Sequence, residues 1–435
     1  MRRFALDKLK KWKQKEDRKP LIIRGARQVG KTWLMKEFGR TDFEKVAYVN
    51  FDSNSRMQQV FDGEIDIERI ILAIEIETGV KIDSKNTLLI FDEIQEVPKA
   101  LSSLKYFCEN APEYAIVAAG SLLGVAMHKG TSFPVGKVDF LDLYPLNYQE
   151  FLCALGEERY AEVLRSKDNE MITMFKTKYI DRLREYYYVG GMPEVVQKYI
   201  DTKDCRLVRE LQKNLINYYQ QDFSKHAETA LVPRLNLVWE SIPMQLAKEN
   251  KKYIYGQVRE GARAKDFELA IQWLLDCGLI HKVQRINKPA LPLKAYLDMN
   301  AFKIYLLDIG LLIAMTDLDA KVIIEGNRIF TEFKGALTEQ YVLQQLISQV
   351  ETVPYYYSTK NSNGEIDFLL QGRTNIVPLE VKAEENLKAK SLKAFCDKYK
   401  PKYAVRTSMS DFRQQDWMTN IPLYNIDKIS EILDE

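Results

Sequence analysis

The chain has 435 residues, 46% of them hydrophobic and 29% charged, with a net charge of +2. This length predicts two or three domains, and the nearly neutral charge leaves any attraction to nucleic acid to local basic patches. Five scattered cysteines without a C-x-x-C pair, and three distant histidines, argue against a disulfide framework and a zinc ribbon. No apolar run approaches the roughly 18 residues that span a bilayer, so we expect a cytoplasmic protein with no membrane partner.

Strand and helix patterns alternate from the N-terminus to about Leu143. Short apolar runs such as "LIIR" (21–24) and "TLLIFDE" (87–93) predict buried strands, and "DIERIILAIEIETG" (66–79) predicts a helix. This alternation is typical of a parallel sheet covered by helices on both faces. From about Tyr148 to Ala230 the pattern is helical, interrupted by a predicted loop at "VGGMPEVV".

A phosphate-binding loop is predicted between the first strand and the helix that follows it. The segment "GARQVGKT" fits G-x-x-x-x-G-K-[ST] at every fixed position. Its glycines allow the backbone N–H groups to point at phosphate oxygens, at the positive end of a helix. Lys31 is predicted to reach the β- and γ-phosphates and Thr32 to ligate Mg²⁺, so the predicted cofactors are ATP and Mg²⁺. The predicted nucleotide-binding residues of the loop are Gly25, Ala26, Arg27, Gln28, Val29, Gly30, Lys31 and Thr32.

A second motif places acidic residues at the end of a buried strand. In "LLIFDEIQ", Asp92 is predicted to hold Mg²⁺, and Glu93 is predicted to act as the general base on the attacking water. The alternative is an acidic strand end that caps a helix. After the strand "AIVAAGS", Ser121 is a candidate sensor of the γ-phosphate, although Gly-Ser is also ordinary turn chemistry.

These motifs resemble the bacterial and archaeal AAA+-like ATPases in which the ATPase module is followed by a domain of unassigned function. The resemblance covers nearly the whole chain in order. It implies an AAA+-like P-loop ATPase domain with a helical extension (1–230), a winged-helix-like segment (231–290) and an α/β PD-(D/E)xK nuclease-like domain (291–435). The matching segments are "PLIIRGARQVGKTWL", "LLIFDEIQ", "AAGSLLG", "LYPLNYQEFL", "YYYVGGMPEVV", "GARAKDFELAIQWLLDCGLIHKV", "KIYLLDIGLL", "GEIDFLL" and "PLEVK".

One position departs from the family. Members often place an arginine after the glycine that precedes the last strand of the ATPase core, whereas Lys137 follows Gly136 here. A lysine offers one point charge instead of a fork of donors. Whether Lys137 substitutes for an arginine finger, and with it whether the chain forms a homo-oligomer, stays open.

The middle segment carries a local excess of positive charge. Between Lys248 and Lys265 there are six basic residues and two acidic ones. Such a patch suits a phosphate backbone, with DNA favoured as the nucleic acid, but a solvated helical face explains it equally well. The winged-helix expectation rests on two helical patterns followed by the extended stretch "GLIHKVQRI".

The segment "GEIDFLLQGRTNIVPLEVK" (364–382) predicts two adjacent strands with acidic positions. Residues i and i+2 of a strand share a face, so Glu380 and Lys382 point the same way, and Asp367 on the neighbouring strand can join Glu380 around one divalent cation. Lys382 would then position the water that attacks phosphorus. The resemblance adds Glu339, on the preceding helix, as a further carboxylate. The alternative is an ordinary ion pair on an amphipathic strand.

Two classes of function fit these patterns. One is an ATP-driven protein whose nucleotide state controls a nuclease-like domain that acts on or binds nucleic acid. The other is a nucleotide-switched regulator in which the nuclease-like domain is a catalytically inactive docking surface. The two classes differ in the expected arrangement of four residues, Glu339, Asp367, Glu380 and Lys382. A working nuclease needs them to converge in an open cleft, whereas a docking domain can bury them in ion pairs.

Overall fold

The computed structural model describes the chain except residues 53, 121–123, 125–132, 167, 249–250, 325–330, 360–363 and 385–388, and it describes only the backbone of residues 331 and 332. The chain divides into two compact units. The first contains residues 2–144 and 276–278, and the second contains residues 145–275 and 279–435. No helix in the described ranges is long and apolar enough to cross a membrane.

The first unit is a parallel α/β sheet, as the alternating pattern predicts. Among its described residues, five strands pair in the order β2-β3-β4-β1-β5, with every neighbouring pair parallel. Strand β4 therefore lies between β1 and β3, which is the order of an AAA+-like P-loop domain. The elements are helices α1 Ala5–Lys13, α2 Lys31–Asp42, α3 Ser55–Asp62, α4 Ile67–Thr78 and α5 Pro98–Asn110, and strands β1 Leu21–Arg24, β2 Lys45–Asn50, β3 Thr87–Asp92, β4 Ala115–Ala119 and β5 Asp139–Asp142.

Local signals explain where these elements begin and end. The Asp66 side chain accepts the backbone N–H groups of Glu68 and Arg69 at the start of α4, and Gly79 ends that helix in the left-handed conformation, with φ +68°. Strand β3 is buried along its whole length, and the Phe91 ring packs edge-to-face against Phe51. Strand β3 is thereby buried in the interior of the sheet, between β2 and β4.

The second unit begins with a series of helices. Its helices are α6 Tyr148–Ala154, α7 Glu158–Arg165, α8 Asn169–Met174, α9 Lys176–Val189, α10 Pro193–Thr202, α11 Cys205–His226, α12 Val232–Leu246, α13 Tyr255–Val258, α14 Ala264–Asp276, α15 Ile309–Met315, α16 Ala320–Ile324, α17 Thr331–Gln345, α18 Lys390–Tyr399 and α19 Ile429–Asp434. The predicted loop at Gly190 and Gly191 joins α9 to α10, and buried Asp308 accepts the N–H of Gly191 at 2.6 Å.

The helical extension packs with the C-terminal part of the chain. The backbone N–H of Tyr148 donates to Gln345 Oε1 at 2.9 Å, and the rings of Tyr179 and Tyr424 are stacked with centroids 5.2 Å apart. Contacts of this kind place residues 145–275 in one unit with residues 279–435. The residues on both sides of positions 230 and 290 belong to this same unit. The domain boundaries predicted at these two positions stay predictions.

A mixed sheet forms the other half of the second unit. Among the described residues, eight strands pair in the order β12-β13-β11-β10-β9-β8-β6-β7. Strands β6 and β7 form an antiparallel pair after helices α12 to α14, and β6 also pairs in parallel with β8. The predicted wing is therefore continuous with the C-terminal sheet, and the winged helix stays a prediction. The strands are β6 Ile280–Ile286, β7 Leu297–Leu306, β8 Tyr355–Ser358, β9 Glu365–Gln371, β10 Ile376–Val381, β11 Val405–Ser408, β12 Arg413–Gln414 and β13 Thr419–Pro422.

The predicted strand pair at residues 364–382 is confirmed. Helix α17 precedes strands β8, β9 and β10, and α18 then leads to β11. Strand β9 is antiparallel to both β8 and β10, whereas β10 and β11 are parallel. This gives an α-β-β-β-α-β order on one mixed sheet.

Candidate nucleotide site and carboxylate cluster

The phosphate-binding loop lies between the end of β1 and the start of α2. Gly25 and Gly30 have φ values of +150° and +94°, a backbone conformation that glycine adopts without steric cost. A Cβ atom on Gly25 would overlap the carbonyl oxygen of Leu143. The two fixed glycines of the motif are therefore required by the backbone itself.

Lys31 is buried against the carbonyl oxygens of its own loop. Its Nζ donates to Gly25 O at 2.9 Å and to Ala26 O at 2.7 Å. Burial lowers the pKa of Lys31 to about 8, although the charges of Glu93 and Asp92 act in the opposite direction. The ammonium is thus held at the loop by neutral acceptors, which phosphate oxygens can outcompete because they carry charge.

Asp92 accepts two neutral hydroxyl donors at the end of β3. Thr32 Oγ1 lies 2.7 Å from Asp92 Oδ2, and the hydroxyl of Tyr48 lies 3.0 Å from the same oxygen. Burial and the charge of Asp92 raise the pKa of Tyr48. Tyr48 was not predicted from the sequence, because its position beside Asp92 follows from the pairing of β2 with β3.

The threonine hydroxyl and the aspartate carboxylate suit Mg²⁺. Both are oxygen donors, which Mg²⁺ prefers over nitrogen and sulfur, and their 2.7 Å separation brings them to one position. The assignment of Thr32 and Asp92 as magnesium ligands stays a prediction.

Glu93 follows Asp92 in a left-handed conformation, with φ +51° and ψ +43°. A non-glycine residue adopts this conformation at a cost of about 1–2 kcal/mol, so the surrounding structure must hold it there. The Gln95 side chain donates to Glu93 Oε2 at 2.7 Å. This contact was also not predicted, and it fixes the direction of the carboxylate.

Two further residues of the predicted ATPase site are Ser121 and Lys137. Ser121 lies outside the described residues. Lys137 forms an ion pair with Glu109 of α5 at 2.9 Å, and this hydrogen bond raises the pKa of Lys137. The arginine-finger substitution stays open.

Asp367 and Glu380 lie on neighbouring strands of the C-terminal sheet. They are one position beyond the paired residues Phe368 and Leu379, so their side chains share a face. Asp367 Oδ2 accepts the backbone N–H of Val381 at 2.7 Å. Burial raises the pKa of Asp367, and so does the nearby charge of Glu339.

Glu380 is buried and has partners of its own. Its Oε1 lies 2.7 Å from Lys382 Nζ, and its Oε2 accepts the N–H of Leu392 at 3.2 Å, in the first turn of α18. Glu380 and Lys382 share a face, as predicted. Their contact is the ion pair of the alternative interpretation, with a helix-capping bond added to it.

Glu339 is paired with lysines that the motif does not contain. Its carboxylate forms an ion pair with Lys251, accepts a hydrogen bond from the Tyr305 hydroxyl at 3.1 Å, and lies 3.7 Å from Lys303 Nζ. Lys303 also forms an ion pair with Glu365. Burial acts to raise the pKa of Glu339, but Lys251 and Lys303 lower it to about 2. We refer to Lys251, Lys303, Glu339, Glu365 and Asp367 as the carboxylate cluster.

Lysine side chains lie beside two of the predicted metal ligands of the C-terminal domain, and the metal assignment stays a prediction. Ammonium groups already contact Glu339 and Glu380, which are two of the three proposed ligands. No group of three or more His, Cys, Asp or Glu side chains that could hold a metal ion occurs among the residues that the structure describes. The structure brings Glu339 close to Asp367 and pairs Glu380 with Lys382.

Exposed basic residues occur in the predicted patch of the middle segment and on helix α18. In the middle segment Lys251 contacts Glu339 in the carboxylate cluster, which turns it away from the predicted nucleic-acid surface, whereas Arg259, Arg263 and Lys265 are exposed. Helix α18 and the turn after it carry one acidic residue, Asp397, among a larger set of exposed lysines. These lysines are Lys390, Lys393, Lys398, Lys400 and Lys402.

Comparisons with known families agree with the nucleotide site. Residues 17–152 match the family described as "AAA domain". Residues 180–322 match "Domain of unknown function (DUF8612)", and residues 334–426 match "Domain of unknown function (DUF4143)". No protein with a curated description matches the chain at a significant level.

Several solved structures resemble the chain at low identity. The Walker-type ATPase PABY2304 of Pyrococcus abyssi is 14% identical over 73% of this chain and 95% of its own, with a TM-score of 0.46. Orc1 of Aeropyrum pernix in complex with DNA is 11% identical over 72% and 90%, with a TM-score of 0.26. Cdc6p of Pyrobaculum aerophilum is 12% identical over 74% and 94%, with a TM-score of 0.25. Likenesses at these TM-scores do not identify a substrate.

The loop geometry, the strand order and the match of residues 17–152 together identify an ATP-binding ATPase domain of the AAA type in the N-terminal part of the chain. The predicted AAA+-like ATPase is confirmed at this level. The assignment of the C-terminal domain as nuclease-like is not confirmed.

Proposed function

We propose that this chain is a Mg-ATP-dependent switch whose C-terminal, nuclease-like domain binds nucleic acid, with DNA favoured. The observation that carries the nucleotide half is the meeting of Lys31, Thr32 and Asp92 at the phosphate-binding loop. The nucleic-acid half is supported by the exposed lysines of α18 and by the strand order of the C-terminal sheet.

Each residue of the nucleotide site has a role in hydrolysis. Lys31 leaves the carbonyl oxygens of Gly25 and Ala26 and donates to the β- and γ-phosphates. Thr32 and Asp92 supply the oxygen ligands for Mg²⁺, which when bound neutralises charge on the phosphates. Glu93 accepts a proton from the attacking water while the new P–O bond forms and the bond to the β-phosphate oxygen breaks. Gln95 positions the Glu93 carboxylate.

Glu93→Gln tests the general base. The substitution keeps the size and the hydrogen-bonding oxygen of the side chain but removes its basicity. We expect ATP affinity within a few-fold of the parent and a turnover rate lower by about 10²–10⁴-fold. Phosphate release and ATP titration measure the two quantities. Turnover at the parent rate would exclude Glu93 as the base.

The lysines on and after α18 form a surface that suits a phosphate backbone. Between residues 390 and 402 five exposed lysines accompany one acidic residue, and only Lys393 is paired with it, at 3.1 Å. A protein that neutralises phosphates releases counterions, so binding weakens with salt in proportion to the contacts made.

The test is fluorescence anisotropy with labelled duplex DNA, single-stranded DNA and RNA, at several salt concentrations. We expect duplex DNA binding that loses about one unit of salt slope for each contacting lysine changed. The test variant carries Lys390→Gln, Lys398→Gln and Lys402→Gln. The matched control carries Lys198→Gln, Lys203→Gln and Lys225→Gln, three exposed lysines on or directly after other helices of the same unit. An equal salt slope in both variants would place the contact elsewhere.

A separate measurement tests whether the bound nucleotide changes the affinity for DNA. The same titrations are made without nucleotide, with ADP, and with ATP on the Glu93→Gln variant, which retains ATP. We expect DNA affinity to differ between the ADP and ATP states, since a switch requires different affinities in its two states. Equal affinity in all three states would reject the switch while leaving the ATPase intact.

A second candidate function follows from the ion pairs at Glu339 and Glu380. If the C-terminal domain is a docking surface for protein, none of the three nucleic acids binds above the level of the lysine-substituted variant. That outcome would favour a nucleotide-switched interaction protein.

A further inference from the structure

Lys303 places a full positive charge inside the C-terminal domain. Its side chain is 0% exposed, and it lies on β7, with its Nζ 4.9 Å from the centroid of the Tyr356 ring. A buried ammonium is costly unless charged and polar partners surround it. Here Glu365 forms an ion pair with it, and Glu339 lies 3.7 Å away. The carboxylates therefore compensate a cation that the chain itself provides.

Lys251 brings a second ammonium to the same group. It lies between α12 and α13, its side chain is 11% exposed, and it forms an ion pair with Glu339, which is 7% exposed. Glu339 thus faces two lysines and the Tyr305 hydroxyl. Lys251 is 88 residues away from Glu339 in the chain, so a region outside the nuclease-like motif supplies this charge.

The charges of the cluster nearly balance without an added ion. Lys251 and Lys303 form ion pairs with the carboxylates of Glu339 and Glu365, and Asp367 accepts the backbone N–H of Val381 at 2.7 Å. A divalent cation next to Glu339 would approach two ammonium groups at close range. Like charges at such separations repel strongly where water is scarce.

We propose that Lys251 and Lys303 take the place of the divalent cation in this nuclease-like domain, so that the carboxylate cluster is a self-neutralised ion-pair network. This inference rests on the nuclease-like fold that the proposed function assigns to the domain from its strand order and acidic positions. The counter-charge comes from the protein. The domain then has no metal-activated water with which to cleave a phosphodiester.

Glu380 and Lys382 extend the same arrangement. In the predicted metal site Lys382 would position the attacking water, but its ammonium lies 2.7 Å from Glu380 Oε1. The other oxygen of Glu380 accepts the Leu392 N–H at the start of α18. Both oxygens of this carboxylate are therefore used for structure.

Removal of the lysines tests the proposal through metal binding. Mn²⁺ serves as the probe, read by electron paramagnetic resonance in the absence of nucleotide. All proteins carry Asp92→Asn, which removes the magnesium ligand of the other unit. We expect no Mn²⁺ binding by this background protein. With Lys251→Met and Lys303→Met added, the uncompensated carboxylates should bind one Mn²⁺ per chain, and Mn²⁺ should raise the midpoint of thermal unfolding.

Three further variants complete the design. Lys251→Met alone removes the less buried lysine and is measured whether or not the double variant folds. Lys282→Met removes a half-buried lysine of β6 outside the cluster and should bind no Mn²⁺. Asp367→Asn is added both to the background protein and to the lysine variants, and in the lysine variants it should abolish the gained Mn²⁺ site.

Two results would overturn the proposal. One is Mn²⁺ binding by the background protein that Asp367→Asn abolishes, since the lysines would then not exclude a metal. The other is the absence of Mn²⁺ binding in every folded lysine variant. These measurements use no nucleic acid, so their outcome is separate from that of the DNA-binding experiments.

Discussion

The phosphate-binding loop and the carboxylate cluster both bury charged groups, but they differ in how the charge is compensated. At the loop, Lys31 contacts two neutral carbonyl oxygens, and Asp92 accepts two neutral hydroxyls. In the cluster, ammonium groups contact Glu339 and Glu365 directly. Neutral partners are weaker than charged ones, so the loop can exchange them for phosphates and a metal ion. The cluster would lose charged partners by the same exchange. A similar set of residues can thus be a ligand site in one region and a structural network in another.

Among the substitutions that test this comparison, Lys31→Ala in the phosphate-binding loop should have the largest effect, and the effect is on ATP affinity. It removes the charge that reaches the β- and γ-phosphates, and hydrogen bonds to charged groups contribute about 1.5–3 kcal/mol each. We expect ATP affinity to fall by at least about 100-fold, measured by calorimetric titration. Lys105→Ala, at an exposed lysine of α5, is the control and should bind ATP like the parent. ATP binding at parent affinity by Lys31→Ala would refute the site.

Glu339→Gln tests whether the carboxylate cluster stabilises the fold. The substitution leaves two buried lysines with less negative charge, and breaking a buried ion pair costs about 3–5 kcal/mol. We expect the free energy of unfolding to fall by about that amount, measured by urea denaturation without added metal. Asp317→Asn is the control, because its partner Lys213 is 52% exposed and Asp317 is 74% exposed, so the loss should be at most about 1 kcal/mol.

The sign of the Glu339→Gln effect distinguishes the two interpretations of the cluster. In a metal site without metal, clustered carboxylates repel one another, and removal of one would stabilise the fold. In an ion-pair network the same substitution destabilises it. A stabilised Glu339→Gln variant would contradict our account.

The pH dependence of ATP binding tests the state of Lys31. Its folded pKa of about 8 lies below the ordinary value of 10.5, so the nucleotide-free protein loses this charge as pH rises through about 8. Bound phosphates favour the charged form, and ATP binding near pH 9 should therefore take up a proton. We expect affinity to fall by up to about tenfold per pH unit above 8. Calorimetry in two buffers of different ionisation enthalpy measures the uptake, which Lys31→Met should abolish. No uptake by the parent would contradict the lowered pKa.

Tyr48→Phe should have the smallest effect. It removes one of the two hydroxyls that hold Asp92 Oδ2 and leaves the 2.7 Å bond from Thr32. A typical hydrogen bond contributes about 0.5–1.5 kcal/mol, so we expect Mg²⁺-dependent ATP turnover to change by a few-fold. Turnover is measured against Mg²⁺ concentration. A loss as large as that of Glu93→Gln would give Tyr48 a direct part in the chemistry.

Some features of the two regions could be predicted from the sequence and others could not. The phosphate loop, the strand ending at Asp92 and the adjacent strands β9 and β10 were predicted from the sequence, because each is encoded by neighbouring residues with a fixed spacing. Tyr48 was missed, since its contact with Asp92 spans 44 residues and requires the pairing of β2 with β3. Lys303 was missed for the same reason, because Glu365 lies 62 residues away.

Lys251 shows how composition alone misleads. Its position within a basic run suggested a nucleic-acid contact, but tertiary packing turns it toward Glu339. Our proposal that the carboxylates hold lysines instead of a metal ion depends on the same residue. A motif specifies which carboxylates share a face of the sheet, whereas the charges that fill the space between them come from distant parts of the chain.

The most direct test of the account is the number of Mn²⁺ ions bound by the parent protein with and without nucleotide. Mn²⁺ replaces Mg²⁺ at oxygen-ligated sites and can be counted by electron paramagnetic resonance. Our account predicts no bound Mn²⁺ in the nucleotide-free protein and one per chain with a non-hydrolysable ATP analogue. One Mn²⁺ without nucleotide and two with it would show that the carboxylate cluster binds metal, which would contradict the account.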